Sequence, residues 1–279
     1  MQDNGLLTLS QMIYDYCGLK YMDRLSTLKD KISKRLNELG TSHLEYCRFL
    51  KTSPNEWDVL MEILTINETY FYREENQLNE CCSIVLPKLR EKNFNKPLRI
   101  WSAACSTGEE AFTLAMLIQE SGKFPQGSVE IVGTDINKKV LQKAEKGWYH
   151  NGSFAFRRIP QNLFKKYFEE ENNGYKVKSS IQNMIKFQYL NLLDQTKVSQ
   201  LGKFDVIFCR NVLIYFDQET TKRVIKSLHQ NLSPDGFLFL GHAESITDMA
   251  LGFQKVDSDK TFYYRKESVH DEKVRYISS

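Results

Sequence analysis

The sequence is poor in residues that break a chain and in patterns that cross-link one. Its 279 residues include 6 prolines and 14 glycines, too few for long flexible linkers. No window approaches the roughly 18 consecutive apolar residues of a membrane-spanning helix. The first residues, MQDNGLLTLSQMIYDYC, lack the cationic start, apolar run and small-residue cleavage site of a secretory leader. A cytoplasmic protein without direct membrane insertion is expected. Charge of one sign is also scarce: 38 Lys and Arg against 35 Asp and Glu give a net charge of +3. No nucleic-acid partner is expected, because such a partner calls for a clustered basic footprint. The 6 cysteines include no CxxC pair, and Cys81 and Cys82 are adjacent. Neither a disulfide framework nor a zinc site has that spacing, so reduced, partly buried thiols are expected. The 5 histidines form no metal-like cluster, and no metal site is expected.

What is present suits a globular protein. Hydrophobic residues make up 41%, and 17 Phe and 14 Tyr can fill a sizeable core. The length allows one large domain or two modest ones.

Residues 1 to about 90 read as helical. Thr8 or Ser10 caps a first helix that carries Leu9, Met12, Ile13 and Tyr16 and stops at Gly18. A second runs from about residue 26 to 39, with Leu25, Leu28, Ile32, Leu36 and Leu39 on one face and Gly40 as its stop. Ser42 opens a third helix through Leu50, and Ser53-Pro54 a fourth with Trp57, Leu60, Met61 and Leu64. The texture changes near Asn93. Strand-like runs at 98–101, 129–133, 185–190, 204–209 and 237–240 then alternate with helical patterns at 109–120, 138–146 and 220–232. That alternation implies a parallel sheet with helices on both faces. Runs at 253–256 and 261–265 suggest a closing hairpin. Residues from about 149 to 183 break the rhythm. They are polar and turn-rich, and Asn172-Asn173-Gly174 signals a hairpin, so a small antiparallel insertion is expected there. Residues 268–279 read as a polar, frayed tail.

Three segments carry chemistry. In the first, Leu98-Arg-Ile-Trp-Ser-Ala-Ala-Cys-Ser-Thr-Gly-Glu-Glu110, a strand feeds a loop of small residues and then a helix. Such a loop lets a ligand approach the backbone closely at a helix N-terminus. Asp135 ends the next strand, where a nucleoside-binding fold places a carboxylate for ribose hydroxyls. Glu109 and Glu110 would repel a diphosphate and suit an ammonium or hydroxyl groups. A nucleoside joined to a cationic amino-acid portion, S-adenosylmethionine (SAM), fits better than NAD or ATP. In the second segment a buried strand ends and Arg210, Asn211 and Tyr215 follow. Asn191 sits at the same rim, at the carboxyl ends of the strands. His242 and Glu244 lie near this rim, and hydrogen bonding within the loop is the expected role. The third segment, Thr65-Ile-Asn-Glu-Thr-Tyr-Phe-Tyr-Arg-Glu74, reads from its residues alone as a polar stretch followed by aromatics.

Taken in order, TINETYFYRE, RIWSAACSTGEEAFTLAMLI, VGTDINKKVLQKAEKGWY, YLNLLD, FDVIFCRNVLIYFD and GFLFLGHAES resemble the CheR family. Its members are SAM-dependent methyltransferases that act on glutamates of chemotaxis receptors. The likeness covers nearly the whole chain. It implies an α/β fold, a Rossmann-like SAM methyltransferase sheet with an all-helical N-terminal domain and a small inserted antiparallel β-subdomain. The expected division is 1–90 for the helical domain, 91–267 for the methyltransferase domain with its insertion at about 149–183, and 268–279 for the tail.

The resemblance also implies site residues. Asn67, Thr69 and Arg73 match positions that touch SAM. Of the GEE pair, Glu110 by its spacing to Asp135, or alternatively Glu109, matches the SAM-binding acid. Asp135 matches the ribose carboxylate, Asn191 and Leu192 the adenine-side pair, and Arg210 and Asn211 the next contact. Arg73 and Tyr215 match the residues that frame the reacting methyl group. The implied product is S-adenosylhomocysteine, and the implied partner is the cytoplasmic domain of methyl-accepting chemotaxis receptors. A monomeric cytoplasmic enzyme recruited to membrane receptors is expected. The chain departs from the family mildly, with Ala111 where many relatives have Pro, Ala243 where they have Ser, and a different Glu68-Thr69-Tyr70.

Lys31, Lys34 and Arg35, together with Lys20 and Arg24, lie away from the apolar face of the second helix. A basic stripe of this kind would steer acidic receptor helices. The insertion would either bind a receptor-tail peptide by strand addition or cover the cofactor edge. A SAM enzyme acting on RNA or a small molecule, and a SAM-binding scaffold without turnover, are the competing readings.

Overall fold

The computed structural model describes residues 3–249 and 251–267; the expected tail at 268–279 lies outside the described residues. Four helices form the first layer: α1 (Asn4–Cys17), α2 (Leu25–Leu39), α3 (His43–Thr52) and α4 (Pro54–Leu64). Their apolar stripes meet in one core that includes Leu9, Ile13, Leu28, Ile32, Tyr46 and Leu60, all fully buried. Gly18 and Gly40 close α1 and α2 in the left-handed conformation. Ser42 caps α3 in a reciprocal box with Glu45.

The first helix starts earlier than its sequence suggested. Asp3 is the cap, its Oδ1 accepting from the Leu6 N–H at 3.0 Å. Thr8 lies inside the helix, where its hydroxyl donates back to the Asn4 carbonyl, and Ser10 is buried. A threonine satisfied by the preceding turn does not open a helix.

A second helical run joins the layers: α5 (Glu75–Glu80), a π turn at Cys81–Val85, and α6 (Leu86–Lys92). Pro87 has no N–H to give to the turn before it. The widened turn, closed by the Leu86 N–H on the Cys81 carbonyl, accommodates that loss.

The sheet follows. Its strands are β1 (Leu98–Ala103), β2 (Val129–Asp135), β6 (Ile185–Tyr189), β7 (Phe204–Cys209), β8 (Leu232–Leu240), β9 (Phe253–Asp257) and β10 (Phe262–Lys266), in the order β6-β2-β1-β7-β8-β10-β9. The first five are parallel; β10 runs antiparallel to both β8 and β9. Side chains alternate faces: Leu98 and Ile100 enter the core beneath α7 (Glu109–Glu120), while Trp101 and Ala103 enter the core beneath α12 (Gln218–Asn231). From β1 the chain winds outward through β2 to β6, then returns to β7 on the other side of β1. The switch point therefore lies between the carboxyl ends of β1 and β7.

Several boundaries differ from the sequence reading. Strands β1 and β2 run two residues further, to Ala103 and Asp135. Strand β8 begins at Leu232 rather than residue 237, and α12 ends one residue earlier, at Asn231. The strand passes through Ser233-Pro234-Asp235-Gly236 by a register shift opposite Phe204 and Val206, with Asp235 at φ +59°. After α8 (Lys138–Lys146), the insertion opens one residue before the expected 149. It forms a separate sheet of β3 (Trp148–His150), β4 (Phe168–Glu171) and β5 (Gly174–Val177) in the order β3-β5-β4. Asn172 and Asn173, both at positive φ, make the hairpin turn. Two short helices that the sequence did not signal, at Gln161–Tyr167 and Ser179–Gln182, complete the insertion.

Helix α1 is fastened to the sheet domain. The Tyr14 hydroxyl donates to Asp217 at 2.9 Å, and the Tyr16 and Tyr189 hydroxyls pair at 2.9 Å. Helix α4 is linked to α8 by Lys138–Asp58 and Lys139–Glu62. All six cysteines are buried thiols. No helix among the described residues is long and apolar enough to cross a membrane.

Candidate active site

A cavity of about 230 Å³ lies where the helical layer meets the carboxyl edge of the sheet. Its walls come from the α1–α2 connection, the segment after α4, and the loops that follow β1, β2, β6 and β7.

The loop after β1 is held in a costly conformation. Ala104, Ser106 and Gly108 have φ of +58°, +51° and +94°, a region that residues with a Cβ enter at a penalty. Its hydrogen bonds hold it there. The Cys105 N–H donates to the Thr134 carbonyl at 2.9 Å, and the Ser106 N–H to Asp135 Oδ2 at 2.9 Å. The Ser106 hydroxyl donates to the Asn67 carbonyl at 3.1 Å, which ties this loop to the segment after α4.

Asp135 is nearly buried, and burial pushes its carboxyl up to about 6 against the backbone N–H groups that favour the ionised form. Its Oδ1 accepts from the Asn137 N–H at 2.9 Å. A carboxylate has about four acceptor sites, and these two bonds fill half of them. The remaining capacity, on a group lining the cavity, matches a ligand that brings hydroxyl donors.

The two glutamates of the GEE pair diverge. Glu110 lines the cavity, accepting from the Ser102 hydroxyl at 2.6 Å and from Arg210 at 3.0 Å. Glu109 turns away and accepts twice from the Thr107 hydroxyl; burial pushes its carboxyl up to about 7. Of the alternatives open in the sequence, only Glu110 is on the wall.

Arg210 is the centre of the charged cluster. Its side chain is 2% exposed and pairs with Glu110 and, at 3.1 Å, with Glu74. It also donates to the Arg73 carbonyl at 2.6 Å. Burial pushes the Glu110 carboxyl up, although Arg210 and Ser102 oppose it. Burial raises Glu74 too, but Arg210, Asn211 and His242 outweigh it and hold that carboxyl below its ordinary value. The two partners of one guanidinium thus move in opposite directions: at Glu110 burial, with a smaller push from the charge of Glu74, outweighs its partners, whereas at Glu74 the partners outweigh burial.

Asn211 follows at φ +57°. Its N–H donates to Glu244, which also accepts from the N–H groups of Leu213, Ile214 and Gly241. Glu244 is therefore the anchor of the loop after β7. Arg73 donates to the Glu68 carbonyl at 2.6 Å, and Tyr215 lies close enough for Arg73 to draw its hydroxyl down while burial pushes it up.

Of the residues singled out in the sequence, Asn67, Thr69, Arg73, Glu110, Asp135, Asn191, Leu192, Arg210, Asn211 and Tyr215 share this wall. The Asn191 side chain is already engaged, donating to the Tyr16 carbonyl and accepting from Leu193. The α2 residues separate. Lys31 lines the cavity and donates to the Leu64 carbonyl at 3.3 Å. Lys34 is exposed. Arg35 is committed to buried Glu56 through two bonds of 2.7 and 2.8 Å. Glu74 escaped the sequence reading although it directly follows Arg73. Its signal is tertiary, a pairing with a residue more than a hundred positions away.

A doubly wound sheet with a cavity at its switch point and an acid at the end of the second strand is the architecture of nucleoside-binding α/β enzymes. The family is settled by comparison. The model described as CheR methyltransferase, SAM binding domain, matches residues 67–262, and the chain belongs to that family. A chemotaxis protein methyltransferase 2 from Vibrio cholerae is 36% identical over 80% of this chain and 77% of its own. A chemotaxis protein methyltransferase from Borreliella burgdorferi is 34% identical over 86% of this chain and 88% of its own. A probable biofilm formation methyltransferase, WspC, from Pseudomonas aeruginosa is 31% identical over 80% of this chain and 52% of its own.

The protein is a SAM-dependent methyltransferase, and its cofactor is S-adenosylmethionine. The wall fits that molecule. Asp135 has acceptor capacity left for hydroxyl groups, and the buried Nε of Arg210 has no hydrogen-bond partner, a donor left over for a polar ligand group.

Proposed function

We propose that this enzyme methylates glutamate γ-carboxylates in the cytoplasmic domain of chemotaxis receptors, forming methyl esters that serve sensory adaptation. The observation that carries the reading is the charge of the wall. Each acid on it is engaged, Asp135 by backbone N–H groups, Glu110 by Ser102 and Arg210, and Glu68 by Arg157. The cations Arg24, Lys31 and Arg73 also line it, with Lys20, which pairs with Asp23. Such a cavity favours an acidic visitor.

In this reading Asp135 holds the ribose, Asn191 and Leu192 flank the adenine, and Asn67, Thr69, Glu110, Arg210 and Asn211 complete the cofactor contacts. When bound, SAM supplies an electrophilic methyl group on sulfur. A glutamate titrates near 4.3 and is already ionised at pH 7, so the chain needs no general base. Its task is to align the carboxylate and to exclude water. Arg73 has guanidinium donors beyond the one spent on Glu68 and orients the incoming carboxylate. Tyr215 walls the same point. A stronger clamp would be counterproductive: the carboxylate charge disappears during transfer, and tight binding of that charge favours the ground state.

The test is incubation of the protein with methyl-labelled SAM and receptor-rich membranes. Label on receptors that base releases as volatile methanol supports the proposal. Label on RNA or small molecules, or cofactor binding without transfer, overturns it.

A further inference from the structure

The segment bearing Arg73 has a left-handed residue on each side, Tyr72 at φ +66° and Glu74 at +55°. Ala104 and Ser106, in a loop of the same cavity, share this conformation, whereas Asn172, Asn173, Asn211 and Asp235 are of residue types that tolerate it. Such strain persists only where the surroundings impose it. Around Arg73 they do. The Phe71 N–H donates to the Ala155 carbonyl, the Tyr72 N–H to the Thr113 hydroxyl, and Arg210 to the Arg73 carbonyl.

Glu74 completes the restraint. Its Oε1 accepts from Asn211 Nδ2 at 3.2 Å; its Oε2 lies 3.1 Å from Arg210 and 3.8 Å from His242 Nδ1. Glu74 precedes α5, but its side chain makes no capping bond there, so starting that helix does not explain it. A left-handed position before a helix suits glycine or asparagine on backbone grounds, so a glutamate there points to its carboxylate.

We infer that Glu74 is a positioning residue for methyl transfer: its carboxylate locks the turn that presents Arg73 and holds Arg210 against Glu110. This rests on the proposed roles of Arg73 at the reacting centre and of Arg210 as a cofactor contact. Glu74 itself does not line the cavity. It acts through its two neighbours.

The test compares Glu74→Gln, which keeps the shape and loses the charge, with Glu74→Gly, which frees the backbone and loses the carboxylate. Folded sites are counted by calorimetric titration with S-adenosylhomocysteine, and kcat per site and KM for SAM are measured on receptor-rich membranes. Glu74→Gln is expected to lose at least about tenfold in kcat per site, with KM for SAM within about threefold. Glu74→Gly is expected to be no better. A Gln variant within twofold of wild type per site, or a Gly variant that regains wild-type kcat, overturns the inference. Should the Gln variant yield no folded sites, Glu74→Asp replaces it: a loss of about threefold or more per site supports the inference, and an unchanged kcat overturns it. Wild type without base-labile transfer overturns the substrate proposal and this inference together, whereas active wild type with an equally active Gln variant removes only the latter.

Discussion

Arg210 and Glu110 stand 3.0 Å apart across the switch point, one following β7 and the other in the first turn of α7. One ion pair therefore joins the connection that follows β1 to the loop that follows β7. Arg210→Met would leave Glu110 and Glu74 as buried carboxylates without their cation. Loss of one partner from a buried pair costs about 3–5 kcal/mol, and urea unfolding should show a loss of that order. Arg210→Lys keeps the charge but not the fork that reaches both carboxylates. It should retain more stability than the Met variant while binding SAM more weakly in calorimetry. A Met variant as stable as wild type would mean that the pair contributes nothing net.

Glu109 makes the stability of the ligand-free enzyme depend on pH. Burial raises its carboxyl from the ordinary 4.5 to about 7. A carboxyl raised by folding contributes stability that is complete below the unfolded value and is lost as pH rises through the folded one. Between pH 4.5 and 7 this single group should therefore remove about 3 kcal/mol from the fold. Glu109→Gln should match wild type near pH 4.5 and exceed it at pH 8. Parallel unfolding curves measured across that range check this, and an equal pH dependence in both proteins would show that Glu109 is not the group responsible.

On α2, Lys34 and Arg35 should behave differently although both were placed on one docking stripe. Lys34→Glu reverses an exposed charge and should slow receptor methylation severalfold, more so at low salt, with SAM affinity unchanged. Arg35→Glu also breaks the bridge to Glu56. With Glu56 buried and Arg35 partly exposed, that should destabilise the helical layer by about 2 kcal/mol, between the values for exposed and buried pairs. A Lys34 variant with full activity on receptors would remove this residue from the docking surface.

Gly18 holds the end of α1 against α12. Its φ is +77°, and a Cβ there would meet the Thr220 methyl at 2.6 Å. Gly18→Ala combines a left-handed alanine with a clash and should cost about 2–3 kcal/mol. Because Cys17 and Leu19 line the cavity, the KM for SAM should rise as well. Thermal unfolding and initial rates measure both; an unchanged melting temperature would show that α1 shifts freely to make room.

Much of this molecule was legible in its sequence because local rules applied. The apolar spacing of α2, the Ser42 box, and the extents of α7, α8 and β7 follow from periodicity and caps. The reading slipped where a nearer partner changed a residue's task. Thr8 bonds within α1 instead of opening it, and β8 starts at Leu232 rather than residue 237 because it shifts register around Pro234. At the cavity, small residues after β1 and an acid at the end of β2 marked the place, and the rim residues after β7 and the Arg73 segment joined it.

Residue order alone therefore determined the helical and strand periods, the winding of the sheet and the short loops at its edge, since each depends on neighbours within a turn or a strand. The loop-bonding role of Glu244 was legible in advance, and spacing already favoured Glu110; that Glu109 turns away and that Glu74 braces the site was decided only on folding. Those outcomes depend on Arg210 reaching Glu110 and the Arg73 backbone across separations of 100 and 137 residues. Charges so far apart in the chain acquire partners only when packing excludes water around them.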